Sequence, residues 1–288
     1  MEARRHQRLQ VRLRIGRGLH PDYSIIYYRN NLNVYLNTMN KTTIQWTERT
    51  WNPMHGCTKH SAGCAHCYAE VMARRLQGIG VKSYERGFKP TLNPNALDEP
   101  KRIKKPSMFF VCSMGDLFHK DVPFEYIDKV MDTIEATPQH IYQILTKRTE
   151  RMADYFRLSR DVPANAWIGT TVESPEVLHR IDCLRGIKHA PVRFLSCEPL
   201  LGDLGELDLT GIDWVIVGGE SGPQARIIEQ EWVMNIRTMC RRYDVPFFFK
   251  QWGTWSEDGE KRTKKANGNL INGQLYQEWP KAWKGGEK

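Results

Sequence analysis

Seven short runs of apolar and β-branched residues recur along the chain. Longer stretches with apolar residues at three- and four-residue spacing separate them, and this alternation leaves few folds open. The runs are Ile44–Trp51, Met108–Ser113, Ile141–Thr146, Trp167–Val172, Val192–Cys197, Trp214–Val217 and Pro246–Gln251. Between them Phe124–Ala136, Pro175–Leu184 and Glu231–Tyr243 read as amphipathic helices. Strands alternating with helices predict a parallel sheet with helical crossovers. The runs MFFVCS and WVIVGG are apolar almost throughout, as a sheet covered on both faces requires. The expected class is α/β, a partial or complete (β/α) barrel over residues 39–256, and a chain of 288 residues has room for it.

Outside that segment the pattern changes. Residues 1–38 are arginine-rich, hold neither periodicity and carry +5, so they read as a basic N-terminal extension, either an upstream addition ahead of a biological start at Met39 or a genuine basic arm. Residues 257–288 carry +2 and read as a basic C-terminal tail rich in Gly, Lys and Asn. The barrel segment keeps only +2 of the net +9. Phosphate binding by charge alone therefore rests on the tails. No stretch approaches about eighteen uncharged apolar residues, and no apolar segment follows the basic start, which predicts a cytoplasmic protein without a membrane span. Its seven cysteines read as thiols or metal ligands rather than a disulfide framework.

Three of those cysteines are grouped directly after the first run. In NPMHGCTKHSAGCAHCYAE, residues 52–70, Cys57, Cys64 and Cys67 form a CxxxxxxCxxC array. A CxxC pair turns both sulfurs toward one metal or one corner of an iron–sulfur cluster, and a third cysteine completes three-point ligation. A structural zinc with His55, His60 or His66 as fourth ligand is the alternative. Three thiolates on a four-iron cluster leave one iron open to a substrate or cofactor.

The loop resembles that of radical S-adenosylmethionine (SAM) enzymes, most closely the spore photoproduct lyase-like branch, whose loop reads approximately NPxxGCxxxCxxCYA. Asn52-Pro53, Gly56-Cys57, Gly63-Cys64 and Cys67-Tyr68-Ala69 match it. The first spacing departs from it, with His60-Ser61-Ala62 as an insertion. SMGDLF at residues 113–118 resembles the branch's SxxTDxY segment, and Leu145-Thr146-Lys147 its (I/L)TK. With WNPxxGC, CSMGDLFH, ILTKR, SCEPLLG, VGGESG and PFFFKQWG in order, residues 42–256 also resemble a phage-encoded three-cysteine family, the phage gp-thirty-seven/gp-sixty-eight type. The resemblance implies a radical SAM-type barrel, a [4Fe-4S] cluster on Cys57, Cys64 and Cys67, and SAM as cofactor.

In a (β/α) barrel the loops past the C-terminal strand ends build the site. The candidates for holding SAM are His66, Ser113, Asp116, Lys147, Glu173 and Glu220. Asp116 suits its amino group, Lys147 its carboxylate, and the backbone at Ala65-His66 its adenine. Cys197 and Glu198 are the catalytic candidates, the thiol as a hydrogen-atom donor at the barrel mouth, with core packing as the other reading of Cys197. The glycines of Gly218-Gly219-Glu220-Ser221-Gly222 read either as a backbone approach to phosphate or ribose or as a tight turn. Lys250, Gln251 and Trp252 read as contacts to a base or phosphate or as core closure. Cys112, Cys183 and Cys240 read as packing.

These residues lead to an enzyme that cleaves SAM to a 5′-deoxyadenosyl radical. The expected substrate is a nucleic acid or nucleotide, reacting at a nucleobase, and a reductant protein is the expected partner. The alternative is a non-enzymatic, zinc- or cluster-stabilised nucleic-acid-binding accessory protein working with a partner encoded nearby.

Overall fold

Strand residues buried on both faces need a covering layer on each side, and the fold supplies two different ones. The computed structural model describes residues 41–283, so the N-terminal extension expected over residues 1–38 lies outside the described residues. In chain order the elements are β1 (Arg49–Trp51), β2 (Met54–His55), α1 (Tyr68–Gly78), β3 (Thr91–Leu92), β4 (Met108–Val111), α2 (Phe124–Glu135), β5 (Ile141–Thr146), α3 (Thr149–Leu158), β6 (Ala166–Thr171), α4 (His179–Arg185), β7 (Val192–Cys197), β8 (Trp214–Gly218), α5 (Gln230–Arg242), β9 (Phe247–Gln251), α6 (Lys264–Asn267), β10 (Leu270–Ile271) and β11 (Gln274–Leu275).

The main sheet has seven strands in the order β1-β4-β5-β6-β7-β8-β9, every pair parallel. Neighbours in space follow chain order without reversal. The sheet therefore winds in one direction and curls into an open half-barrel, the α/β partial barrel expected from the sequence. Short β2 and β3 form a separate antiparallel pair that carries the chain away from the end of β1.

Alternation along each strand sorts the two faces. One face takes Phe109, Tyr142, Cys197, Val215 and Phe247 toward the helices, where the Tyr142 hydroxyl bonds Thr137 at the end of α2 over 2.6 Å. α2 covers it with Tyr126, Ile127, Val130, Met131 and Ile134, a stripe at helical spacing. The concave face takes Met108, Phe110, Trp167, Phe194, Trp214, Ile216 and Phe248, with Trp46 packed among them. Gly169 lies on this face because a Cβ there would stand 2.5 Å from the Phe194 ring. Aromatic rings fill the barrel interior to that height, and the space above belongs to the polar strand ends.

Several expected boundaries shift. Ile44–Trp51 was expected to be one strand, but only Arg49–Trp51 pairs with β4. The chain before it turns, Thr47 N–H donating to the Ile44 carbonyl, and this drops Trp46 into the core. Pro175–Leu184 divides into a 3-10 turn, Pro175–Val177, and α4. Residues past 256, read from composition as a tail, instead build α6 and the β10–β11 hairpin, then run along β9: Phe249 N–H donates to the Tyr276 carbonyl over 2.7 Å, and Glu278 N–H to the Phe247 carbonyl over 3.0 Å. Trp279 stacks on Trp214 with ring centres 5.1 Å apart, and Trp283 stacks on Trp279 at 5.6 Å. The Gln277 amide reaches Gln45 on the far side of the half-barrel over 3.4 Å. Aromatic anchors thus override a loop-like composition.

Trp279→Ala should lower stability by about 2–3 kcal/mol, below the roughly 3–5 of a fully buried tryptophan because this ring is half-buried. Chemical denaturation of the full chain measures it. A loss under about 0.5 kcal/mol, the range of an ordinary surface substitution, would mean that the segment does not close the core.

Candidate functional site

The cysteine loop starts where backbone geometry admits only glycine. Gly56 has φ +81° and abuts the Lys89 carbonyl, where a Cβ would come within 2.2 Å of the oxygen. Its N–H donates to the Met114 carbonyl over 2.8 Å, and Cys57 N–H to the Phe88 carbonyl over 3.0 Å. Asn52 joins the same corner to the segment after β4, its carboxamide oxygen accepting from Ser113 Oγ at 3.2 Å and Met114 N–H at 3.0 Å. Ser113, expected to contact SAM, is thereby committed to the loop's base.

From there the chain crosses the C-terminal mouth of the half-barrel, and two acidic side chains hold it. Glu173, past the end of β6, is fully buried and pairs with Arg180 over 2.9 Å. It also accepts from Ser61 Oγ and from Gly63 N–H at 3.2 Å. Burial pushes its carboxyl up, but Lys147, Ser61, Arg180 and Gly63 N–H together outweigh that and hold it below the ordinary range. Glu220, past the end of β8, takes a two-pronged grip from Arg226, Nε at 2.9 Å and Nη2 at 2.7 Å, and faces His66 Nδ1 at 3.1 Å. Arg226 Nη1 donates to the Ala62 carbonyl over 3.0 Å. The Ser61-Ala62 part of the insertion is thus the stretch that both carboxylate systems grip. Glu173 and Glu220, expected to contact SAM, are spent on this docking.

A third acid sits beneath the first cysteine. Asp116 is buried and accepts from Thr146 Oγ1 at 2.7 Å, Phe118 N–H at 3.0 Å and Arg148 Nη1 at 2.8 Å. So held, Arg148 Nη1 stands 3.5 Å from Cys57 Sγ, and Nη2 donates to the Thr58 carbonyl at 3.0 Å. Burial and the Asp116 charge push the Cys57 thiol up to about 11, with Arg148 opposing. Asp116 therefore acts through Arg148, a residue that the sequence reading did not single out. Its signal was present, since it follows Lys147 in the same LTKR run.

Cys57, Cys64 and Cys67 are all half-buried on this one loop, and all seven cysteines are free thiols. Cys67 is the residue before α1, its backbone extended and its side chain making no capping bond. Among the described residues no three His, Cys, Asp or Glu side chains stand together as ligands of a single ion. His55, a candidate fourth zinc ligand, is buried and donates from Nε2 to the Ser83 carbonyl over 2.6 Å. The donor set fits a three-thiolate cluster by its chemistry: three soft sulfurs on one polar loop, with a guanidinium beside Cys57.

Strand parity sorts the remaining candidates. Lys147, Glu173, Glu198 and Glu220 lie two residues past Leu145, Thr171, Ser196 and Gly218, on the concave side. Cys197 corrects the expectation of a thiol at the mouth. One residue off that parity, it is completely buried against the helical layer, within electrostatic reach of Cys240 on α5. Glu198 does face the concave side, 2.7 Å from Lys250 Nζ. The GGESG segment crosses QWG closely: a Cβ on Gly219 would fall 1.9 Å from the Trp252 carbonyl oxygen, and one on Gly253 2.2 Å from that of Glu220. A cavity of about 520 Å³ lined by Ile44, Lys105 and Ser107 lies at the opposite, N-terminal end of the sheet and takes no part in this arrangement.

Glu173→Gln should destabilise the protein by roughly 3 kcal/mol at neutral pH, because it leaves the buried Arg180 charge without its partner. The folded carboxyl sits below its unfolded value, so its contribution is complete above the ordinary glutamate range, about 4.3, and disappears as pH falls through the folded value. Thermal melts across pH should show the gap between wild type and variant widest above about pH 5 and closing at lower pH. A gap that widens on acidification would contradict this role.

Residues 41–280 match the model of the family described as "Protein of unknown function (DUF5131)". No curated protein matches the chain. Among solved structures it is similar to spore photoproduct lyase complexed with dinucleoside spore photoproduct, with 14% identity and a TM-score of 0.45, covering 72% of this chain and 64% of that one. A single-substitution mutant of that lyase gives 11% identity and a TM-score of 0.48, covering 75% and 80%. A double mutant with bound AdoMet and dinucleoside spore photoproduct gives 14% and 0.42, covering 72% and 64%. The chain spans less than two thirds of the length of the first of these structures.

Proposed function

The chain belongs to the DUF5131 family, and within it we propose that this member is a radical SAM-like iron–sulfur enzyme acting on a nucleobase or nucleotide. One observation carries the reading. Three free thiols stand half-buried on a loop across the C-terminal mouth of a parallel half-barrel, held by two buried carboxylates. In this reading Cys57, Cys64 and Cys67 hold a [4Fe-4S] cluster whose remaining iron is left to SAM. When bound, cluster and SAM supply an electron and a 5′-deoxyadenosyl radical that takes a hydrogen atom from the substrate.

The chain's own residues do the rest. Asp116 fixes Arg148 against Cys57, so a positive charge offsets the thiolate that ligation requires. Lys147, which stands in no ion pair among the described residues although its charge helps keep Glu173 ionised, is assigned to a carboxylate of SAM, and the backbone at Ala65 and His66 to its adenine. Glu173 and Glu220 keep the loop from opening. The aromatic floor of Phe194, Trp214 and Phe248 fills the barrel interior beneath the mouth and keeps water out of it. A reductant protein in the cytoplasm would supply the electron.

Anaerobic reconstitution of the full chain with iron and sulfide, followed by SAM and a chemical reductant, tests the reading. The expected result is brown protein with about four irons per chain that releases 5′-deoxyadenosine. Cys57→Ala, Cys64→Ala and Cys67→Ala should each lose the cluster, whereas Cys183→Ala should keep it. Colourless protein with stoichiometric zinc, or a cluster that never cleaves SAM, would overturn the proposal.

A further inference from the structure

His119 ends the CSMGDLFH segment and is fully buried, yet no step of the proposed chemistry uses it. It stands one turn after Asp116, its N–H donating to the Asp116 carbonyl over 3.0 Å. Asp116 and His119 are therefore two arms of a single turn past β4. One arm holds Arg148 over 2.8 Å. The other reaches the residue that follows Cys57, with His119 Nε2 2.9 Å from Thr58 Oγ1.

The second ring nitrogen settles which atom donates. Nδ1 receives the Asp121 N–H over 3.2 Å, which occupies its lone pair and assigns the ring proton to Nε2. The exposed Asp121 carboxylate stays 3.7 Å from Nδ1, beyond a hydrogen bond. Burial disfavours a second proton on the ring, and the Arg148 charge pushes the same way. His119 is thus a neutral donor to Thr58 Oγ1. That oxygen also accepts from Arg148 Nη2 at 3.3 Å, and the Thr58 carbonyl accepts from the same nitrogen at 3.0 Å. Thr58 is itself exposed, and among the described residues its hydroxyl has no other hydrogen-bond partner. Arg148 is held by Asp116 at one nitrogen and by Thr58 at the other, which leaves Nη1 3.5 Å from Cys57 Sγ.

We propose that His119 is a positioning residue for Cys57: by fixing Thr58 it keeps Arg148 against the sulfur, and the charge so placed raises the reduction potential of the cluster. The assignment rests on the iron–sulfur reading of the site and adds to it what sets the cluster's redox behaviour. A cation beside a ligand sulfur favours the reduced, more negative cluster, so a looser Arg148 lowers the potential.

Redox titration of the reconstituted full-length protein, followed by electron paramagnetic resonance, reads that potential. Arg148→Met should leave about tenfold less reduced cluster at a fixed solution potential, a negative shift of about 59 mV for one electron. His119→Leu should shift it the same way by about threefold, the scale of one lost hydrogen bond, whereas His119→Gln, which keeps a donor, should restore most of the wild-type value. His119→Leu combined with Arg148→Met should sit where Arg148→Met alone sits, because one residue acts through the other. Thr58→Val, at an exposed position, breaks the same link and keeps the test usable if His119→Leu misfolds. A wild-type potential in His119→Leu or Thr58→Val, or shifts that add in the double variant, overturns the assignment. Nitrogen NMR of the full chain before reconstitution reads the His119 tautomer without iron. A proton on Nδ1 overturns the clamp. A proton on Nε2 in protein that never takes up a cluster overturns the iron–sulfur reading and leaves the positioning of Cys57 standing.

Discussion

The cysteine loop is polar, carries only a 3-10 turn, Ala62–Cys64, and cannot hold its own shape. What fixes it is a pair of buried carboxylates reaching up from the ends of two different strands. Glu173 grips it at Ser61 and Gly63, while Glu220 grips His66 directly and Ala62 through Arg226. Burying two carboxylates is unfavourable unless every lone pair is matched, and here arginines and backbone N–H groups match them. The loop's position over the mouth is therefore set by the sheet, and the sheet's rigidity is passed on to the three thiols.

The same logic explains what was legible in the sequence. The runs Ile141–Thr146 and Val192–Cys197 emerge as strands with those bounds, because strands covered on both faces must be apolar and β-branched throughout. α1 was missed: only Ala69 and Ala73 are buried, too thin a stripe to stand out among charged neighbours. The C-terminal segment was misread because loop-like composition says nothing about three tryptophans stacking across a sheet.

At the site, residue type was legible and orientation was not. Asp116, Glu173 and Glu220 lie at the strand ends where polar residues gather, but only the three-dimensional pairing reveals that arginines distant in sequence or unremarked already occupy them. Cys197 shows the limit most clearly. A shift of one residue in strand parity separates the cavity from the helical layer, and Cys197 and Glu198 fall on opposite sides of it. The glycines of GGESG and QWG likewise record a close crossing of two backbones, a contact no single segment encodes.

At the centre of the proposal, Cys57, Cys64 and Cys67 would together hold one four-iron cluster that would bind SAM. Electron paramagnetic resonance of the anaerobically reconstituted, reduced protein tests it most directly, with spectra taken before and after SAM is added. The account predicts a reduced four-iron cluster signal whose g values shift on SAM binding and which is lost when Cys57, Cys64 or Cys67 is replaced. A cluster signal that SAM leaves unchanged, or protein that takes up zinc and shows no such signal, would contradict it.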